Sequence, residues 1–244
     1  MSKFIILNHK MNLEYEEVYP YINELNNIDT NYNIIVCPSS LYLEDFINHC
    51  NWGVGAQNVH EKTNGNYTGE ISTLQLKSMG IEYSLIGHYE RKKYFHETIK
   101  NTNQKLLSCL DSNISPILCF GETGKDQDII NDLDSLLDQV SNIDFIIFAY
   151  EPLKVEEKLE VTEIKEQVEM IYHHLYEKYK SKPNIIYGGG VEQKDIKELL
   201  SSDYINGLLI GKISANIDKV KKNNEKYLKI QKAVIKRSRS IRKK

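Results

Sequence analysis

Eight short runs of apolar and β-branched residues recur along the 244-residue chain, and they limit its possible folds more than any other feature. The longer stretches between them have apolar residues at helical spacing, as at Val168, Ile171 and Leu175. Strands that alternate with helices indicate βαβ units and a parallel sheet. The eight runs are residues 4–7, 34–37, 52–56, 83–86, 116–120, 145–150, 185–187 and 208–210.

Eight consecutive βα units predict a single-domain (β/α)8 barrel, which is a common architecture at this chain length. The continuous apolar runs agree with strands that are buried on both faces. A doubly wound open sheet is the alternative that the same pattern allows. No linker rich in Gly, Ser or Pro divides the chain, so we expect one catalytic domain over residues 1–228, followed by a basic end at 229–244.

The charge is unevenly distributed along the sequence. The last 16 residues, 229–244, contain eight Lys or Arg residues and no acid. Removing these eight charges from the net charge of −3 leaves −11 for the preceding 228 residues. We interpret the basic end as a solvated extension of the last helix. The alternative interpretation is an arm that weakly binds nucleic acid or an anionic membrane. Neither partner is expected to be required.

Cysteine usage is typical of a reduced, intracellular protein. The four cysteines, Cys37, Cys50, Cys109 and Cys119, form no C-x-x-C pair, and none lies at metal-ligand spacing from a histidine. Cys119 lies near the end of the apolar run 116–120, and we interpret it as a packing residue. The apolar stretch before Asn8 is too short for a signal peptide or a membrane span, so we expect a cytoplasmic location.

Three side chains suited to proton transfer each follow the end of a predicted strand. They are Lys10, His88 and Glu151, and each alone would be an ordinary surface or structural residue. The strand ends of a barrel converge on one face, which brings a cation, an imidazole and a carboxylate together. A carboxylate can remove a proton next to a carbonyl while the other two groups stabilise the oxygen charge. No metal or organic cofactor is needed, and the chain has no dinucleotide fingerprint or P-loop.

Seven motifs, in order between residues 4 and 216, resemble the triosephosphate isomerase family, whose fold is the TIM barrel. They are NHKMN, GAQNVHEKTNGNYTGEIS, IGHYER, LCFGET, AYEP, YGGGV and GLLIG. The resemblance implies that Glu151 is the base, His88 the electrophile and Lys10 the electrostatic group. That family is a standard example of a glutamate base, a neutral histidine at a helix N-terminus and a loop that closes to exclude water.

The same resemblance implies the supporting residues. Asn8 would lie beside Lys10, and Glu90 and Arg91 would brace the site and the subunit contact. The phosphate of a small phosphorylated sugar would bind at the last two strand ends. A homodimer is implied, with a docking segment that enters the partner subunit. The phosphate-binding residues would be Gly188, Gly189, Gly190, Gly211 and Lys212, and the docking segment would contain Gln57, Thr68 and Glu70.

The chain departs from the family pattern around the substrate. The family loop after the glutamate has a tryptophan hinge and a glycine-rich tip, whereas residues 153–161 contain neither residue type. A tip without glycine does not readily adopt positive φ, and added carboxylates repel a phosphate. Tyr89 and Gly190 each replace a serine of the family pattern, and Lys212 replaces a glycine.

Three functions follow from these observations. The first is triosephosphate isomerase, which interconverts dihydroxyacetone phosphate and D-glyceraldehyde 3-phosphate through an enediol(ate). The second is isomerisation of a related sugar phosphate, such as a tetrulose phosphate, by the same proton transfer. The third is a barrel with weakened catalysis that acts as a binding or scaffold protein.

Overall fold

The protein folds into a closed barrel of eight parallel strands, as seen in a computed structural model that describes residues 3–122, 126–152, 159–191, 194–211 and 213–221. Each strand pairs with its sequence neighbour, and β8 pairs with β1. This closure confirms the predicted (β/α)8 barrel and excludes the doubly wound open sheet. The strands are β1 Phe4–Asn8, β2 Asn33–Cys37, β3 Gly53–Ala56, β4 Tyr83–Ile86, β5 Ser115–Phe120, β6 Ile147–Tyr150, β7 Asn184–Tyr187 and β8 Gly207–Ile210.

Helices follow the strands and surround the barrel. Two of them lie between β4 and β5, and a short 3₁₀ helix, Ser40–Tyr42, precedes the second α-helix. The α-helices are α1 Tyr15–Asn26, α2 Leu43–His49, α3 Thr73–Ser78, α4 Tyr89–Phe95, α5 Ile99–Asp111, α6 Asp126–Leu136, α7 Val161–Tyr179 and α8 Ile196–Leu199. Among the described residues, no helix is both long enough and apolar enough to span a membrane. Lys212, residues 153–158 and the basic end 229–244 lie outside the described residues.

Two apolar layers hold the barrel together, because side chains of a strand alternate between its faces. Inward-facing residues such as Ile6, Ile117 and Leu209 fill the barrel interior. Outward-facing residues pack against the helices, where α7 contributes buried Ile164, Val168, Ile171 and Leu175 at spacings of three and four. Each fully buried aliphatic side chain contributes about 1.5–3 kcal/mol.

The sixth strand is shorter than the apolar run 145–150 predicts. Phe145 lies outside β6 and its side chain is 69% exposed, whereas Ile146 is fully buried. The N–H of Ile146 bonds the carbonyl of Ile143 at 3.0 Å, so the chain is still turning before the strand begins at Ile147. The apolar run therefore predicted that a strand is present but not the residue at which it begins.

The pairing of β8 with β1 closes the barrel, and it leaves no space for a side chain at Gly207. A Cβ atom there would overlap the backbone of Phe4, including its carbonyl oxygen. Phe4 also donates its N–H to the carbonyl of Asn206 at 2.8 Å, which fixes the two strands at this separation.

We expect Gly207→Ala to destabilise the protein strongly, because β1 and β8 must separate to admit the methyl group. Gly80→Ala is the matched control, since Gly80 has open space but a φ of +81°. The control should cost only the about 1–2 kcal/mol of a left-handed alanine. Chemical unfolding of both variants makes the comparison, and an equal or smaller loss for Gly207→Ala would contradict the proposed backbone overlap.

Candidate active site

The carboxyl ends of the strands surround a cavity of about 270 Å³ that brings the predicted trio together. Lys10 follows β1, His88 follows β4 and Glu151 follows β6, and all three line this cavity. The remaining lining residues are Asn8, Tyr89, Glu90, Gly188, Gly190, Val191, Leu209, Ile210, Gly211 and Ile213. Barrel topology thus places a cation, an imidazole and a carboxylate around one space large enough for a small molecule.

Glu151 is a buried carboxylate at the end of β6, with 6% of the residue exposed. Its N–H donates to the carbonyl of Phe120 at 2.8 Å, which extends the β5–β6 ladder by one residue. Burial raises the pKa of this carboxyl above its usual value, against the opposing effects of His88 and the Cys119 thiol. A desolvated carboxylate with a raised pKa is a stronger base than one in water.

His88 is oriented by the helix that it begins. It is the N-cap of α4, and its Nδ1 accepts the backbone N–H of Glu90 at 3.3 Å. A neutral imidazole that accepts at Nδ1 carries its proton on Nε2. Nε2 lies 3.6 Å from Oε1 of Glu151, so the ring directs a donor toward the same region as the carboxylate.

Lys10 is held in a left-handed backbone conformation with φ of +55°. Its N–H donates to Oδ1 of Asn8 at 3.1 Å, and its carbonyl accepts from Nε2 of Gln57 at 2.9 Å. A non-glycine residue in this region costs about 1–2 kcal/mol, which such contacts offset. The ammonium group lies 2.6 Å from Oε1 of Glu90. Gln57, predicted in the docking segment, thus also fixes Lys10 within the protomer.

A buried ion network behind the site was missed by the sequence analysis. Lys105 is only 5% exposed, and its ammonium contacts Oε2 of Glu97 at 2.5 Å and Oδ1 of Asn58 at 2.9 Å. Nε of Arg91 lies 3.3 Å from the same Glu97 oxygen. Burial acts to raise the pKa of Glu97, but these two cations outweigh it and the pKa is lowered. The sequence did contain a signal of this network: Lys105 lies on the apolar face of α5, beside Leu106 and one turn before Cys109.

The predicted phosphate glycines lie at the ends of β7 and β8, and three of them line the cavity. Gly189 adjoins this lining, and Lys212 is outside the described residues. The N–H of Gly188 donates to the carbonyl of Tyr150, and that of Gly190 donates to the carbonyl of Gly188, at 2.8 and 2.9 Å. In this conformation the N–H groups of Gly188 and Gly190 therefore both donate to carbonyls of the protein. The φ of Gly190 is +79°, a backbone conformation that favours glycine.

The predicted docking segment lies on the surface next to the site. Thr68 and Glu70 are both exposed. Glu70 lines a second cavity of about 510 Å³ together with Met11, Phe95 and residues of the first cavity, including Lys10. The segment and the catalytic residues therefore border a continuous surface.

Cys119 lies beside Glu151 in the barrel interior. The residue is fully buried, and burial, reinforced by the Glu151 charge, raises the pKa of its thiol well above the usual value. The Cys119 thiol therefore stays neutral, which agrees with its interpretation as a packing residue. All four cysteines are free thiols.

His9 lies between Asn8 and Lys10 and points into the outer apolar layer. Its ring packs edge-on against Tyr21 and Phe46, with centroids 4.6 and 5.6 Å away. Neither ring nitrogen has a hydrogen-bond partner among the described residues. Burial lowers the pKa of His9 to about 3.

His9 should make the protein sensitive to acid. The unfolded chain binds a proton near pH 6.5 and the folded chain only near pH 3, so stability falls as the pH drops through this interval. Between pH 7.5 and 5 the loss from this residue is about 2 kcal/mol. His9→Phe keeps the aromatic contacts and should flatten this slope in urea unfolding measured at both pH values.

His49→Phe is the matched control, because His49 is an exposed histidine that also contacts a tyrosine ring. It leaves His9 in place and should therefore retain the loss of stability in acid. An equal slope in the His9→Phe variant and the wild-type protein would show that His9 does not cause it.

Comparison with known proteins gives a consistent family relationship. A sequence model of the family described as "Triosephosphate isomerase" matches residues 3–232. The triosephosphate isomerase of Mycoplasma mobile is 33% identical over 233 residues, which cover 88% of this chain and 96% of that protein. Those of Ehrlichia chaffeensis and Aquifex aeolicus are 32% and 31% identical, over 89% and 88% of this chain and 93% and 95% of theirs.

Proposed function

Since the chain belongs to the triosephosphate isomerase family and is an isomerase, we propose that it interconverts dihydroxyacetone phosphate and D-glyceraldehyde 3-phosphate, with Glu151, His88 and Lys10 as its catalytic residues. The observation that carries the assignment of roles is the approach of His88 Nε2 to Glu151 Oε1, at 3.6 Å, in a cavity that Lys10 also lines. The base and the electrophile can then reach adjacent atoms of one small substrate.

Glu151 begins the reaction by removing a proton from C1 of dihydroxyacetone phosphate. The electrons of the broken C–H bond form the C1–C2 double bond, and those of the carbonyl move to O2, which takes a proton from Nε2 of His88. His88 then recovers a proton from the O1 hydroxyl as the C1 carbonyl forms. Glu151 returns its proton to C2, so the substrate neither gains nor loses atoms.

Lys10 stabilises the oxygen that becomes negative in the enediolate. Its ammonium is paired with Glu90, but both side chains are partly exposed, so solvent screens the pair. A substrate oxygen can therefore compete for the ammonium. The left-handed backbone of Lys10, fixed by Asn8 and Gln57, keeps the side chain at the mouth of the cavity.

Glu151→Gln should reduce kcat by at least about 1,000-fold, because the amide cannot accept the carbon-bound proton. A coupled assay with glyceraldehyde 3-phosphate measures this loss. A four-carbon ketose phosphate, assayed in parallel, tests the second function. Turnover of only the four-carbon compound would contradict the proposed substrate, and no turnover of either would contradict catalysis.

The wild-type protein should also lose kcat/KM in acid earlier than a solvent-exposed glutamate would require. The free base must be ionised to act, and burial raises the pKa of Glu151. The rate should therefore fall as the pH drops through a value above the usual glutamate range, and stay flat above it until other groups titrate. An acid limb at or below the usual glutamate pKa would contradict a buried base.

A homodimer is supported by the apolar surface that borders the site. Met11 is 96% exposed and Phe95 is 63% exposed, and both line the second cavity with Glu70. Adjacent exposed apolar side chains around a cleft are typical of a protein contact. The docking segment with Gln57, Thr68 and Glu70 would enter the partner's copy of this cleft. The cytoplasm is the proposed location, where the four free thiols stay reduced.

Met11→Glu should shift the protein toward monomers, because it would bury an unpaired charge in the proposed interface. Phe145→Glu is the matched control, since Phe145 is also an exposed apolar residue, at 69% exposure, but lies at the opposite end of the barrel. Analytical ultracentrifugation of both variants measures the association. Dimers of equal stability in both variants, or monomers of the wild-type protein, would contradict the proposed interface.

A further inference from the structure

A chain of hydrogen bonds begins at the residue before Glu151 and reaches two helices. The hydroxyl of Tyr150 donates to Oε1 of Gln167 on α7 at 2.5 Å. Nε2 of Gln167 donates in turn to Oδ1 of Asp126, the first residue of α6, at 3.1 Å. The amide of Gln167 therefore links the end of β6 to α7, on which it lies, and to α6.

Tyr150 is held rigidly at the inner end of this chain. Its residue is fully buried, and its ring lies 5.8 Å from that of Phe120 and 6.5 Å from that of Tyr187, centroid to centroid. The ring also occupies the space beside Gly121, where a Cβ atom would lie 2.5 Å from two ring carbons. Burial raises the pKa of the Tyr150 hydroxyl, which stays protonated and can donate.

Tyr150 and Glu151 are consecutive residues at the end of β6. Side chains of consecutive strand residues point to opposite faces, so Tyr150 packs in the outer layer while Glu151 lines the cavity. The carbonyl of Tyr150 accepts the N–H of Gly188 at 2.8 Å, and the N–H of Glu151 bonds β5. The backbone of this segment is therefore hydrogen-bonded to both neighbouring strands, and the Tyr150 hydroxyl adds a third anchor, on α7.

We propose that Gln167 is a positioning residue for the isomerase reaction, which holds the Glu151 carboxylate at its distance from His88 by anchoring the Tyr150 hydroxyl. The same bond ties the β6 end of the β6–α7 connection to the second turn of α7. The inference rests on the proposed role of Glu151 as base.

Gln167→Ala tests the inference by removing both bonds of the chain. We expect kcat to fall about ten-fold while KM changes less than two-fold. A catalytic group misplaced by about 1 Å reduces the rate about 100-fold, and the Glu151 carboxylate should move by less than that. Tyr150→Phe should give a similar loss, and the double variant should lose no more than either single variant, because all three break one unit.

Gln127→Ala is the matched control. Gln127 also donates its amide, to Oδ1 of Asn131 at 3.0 Å, but on the exposed side of α6. Its kcat and KM should equal those of the wild-type protein. If Gln167→Ala lowers the melting temperature but leaves kcat at the control value, or if it raises KM with kcat unchanged, the residue is only structural and the inference is wrong.

A second measurement separates this inference from the proposed function. Wild-type turnover tests the function, whereas ¹³C NMR titration of the Glu151 carboxyl reports its position relative to His88 without any turnover. We expect Gln167→Ala to change the apparent pKa of Glu151, and Gln127→Ala to leave it unchanged. An identical titration in the wild-type protein and Gln167→Ala would overturn the inference even if the enzyme is active.

Discussion

The site depends on the pairing of the first strand with the last. This pairing brings the end of β1, with Asn8 and Lys10, next to the end of β8, where Gly211 lies close to the Lys10 side chain. The hydroxyl of Ser214 donates to the carbonyl of Asn8 at 2.7 Å, and Tyr21 donates to the carbonyl of Ser214, so buried bonds secure the junction. An open sheet would separate these ends, and the cavity would lose one wall.

Two enclosed carboxylates, one lining the cavity and one behind it, differ in their ion pairing. Glu151 is buried without a strong ion pair, so its pKa is raised, whereas the side chain of Glu97 is paired with Lys105 and Arg91, so its pKa is lowered. The first environment makes a carboxylate more basic, and the second favours its ionised form. Glu97 can therefore fix the position of Arg91 beside the site, because the charge of a paired, ionised carboxylate does not change during the reaction.

The architecture was predictable because apolar periodicity survives in the linear sequence. The eight runs correspond to the eight strands, and the start of β6 was misplaced because Phe145, an exposed phenylalanine, continues the apolar run without joining the ladder. The trio was predictable from position, since each member lies one or two residues past the end of a strand. Lys105 was not, because a buried lysine is identified by its partners Glu97 and Asn58, which lie 8 and 47 positions away.

The sequence by itself determined the order of strands and helices, the side chains at the strand ends and the family pattern that they form. Only the tertiary structure decided how those side chains act: that Nδ1 of His88 accepts a backbone N–H, that Gln57 fixes Lys10, and that Tyr150 reaches Gln167. Periodicity and motif order are local properties that the chain carries before folding. Distances, burial and the resulting pKa shifts arise between residues far apart in sequence, so they exist only once the barrel has closed.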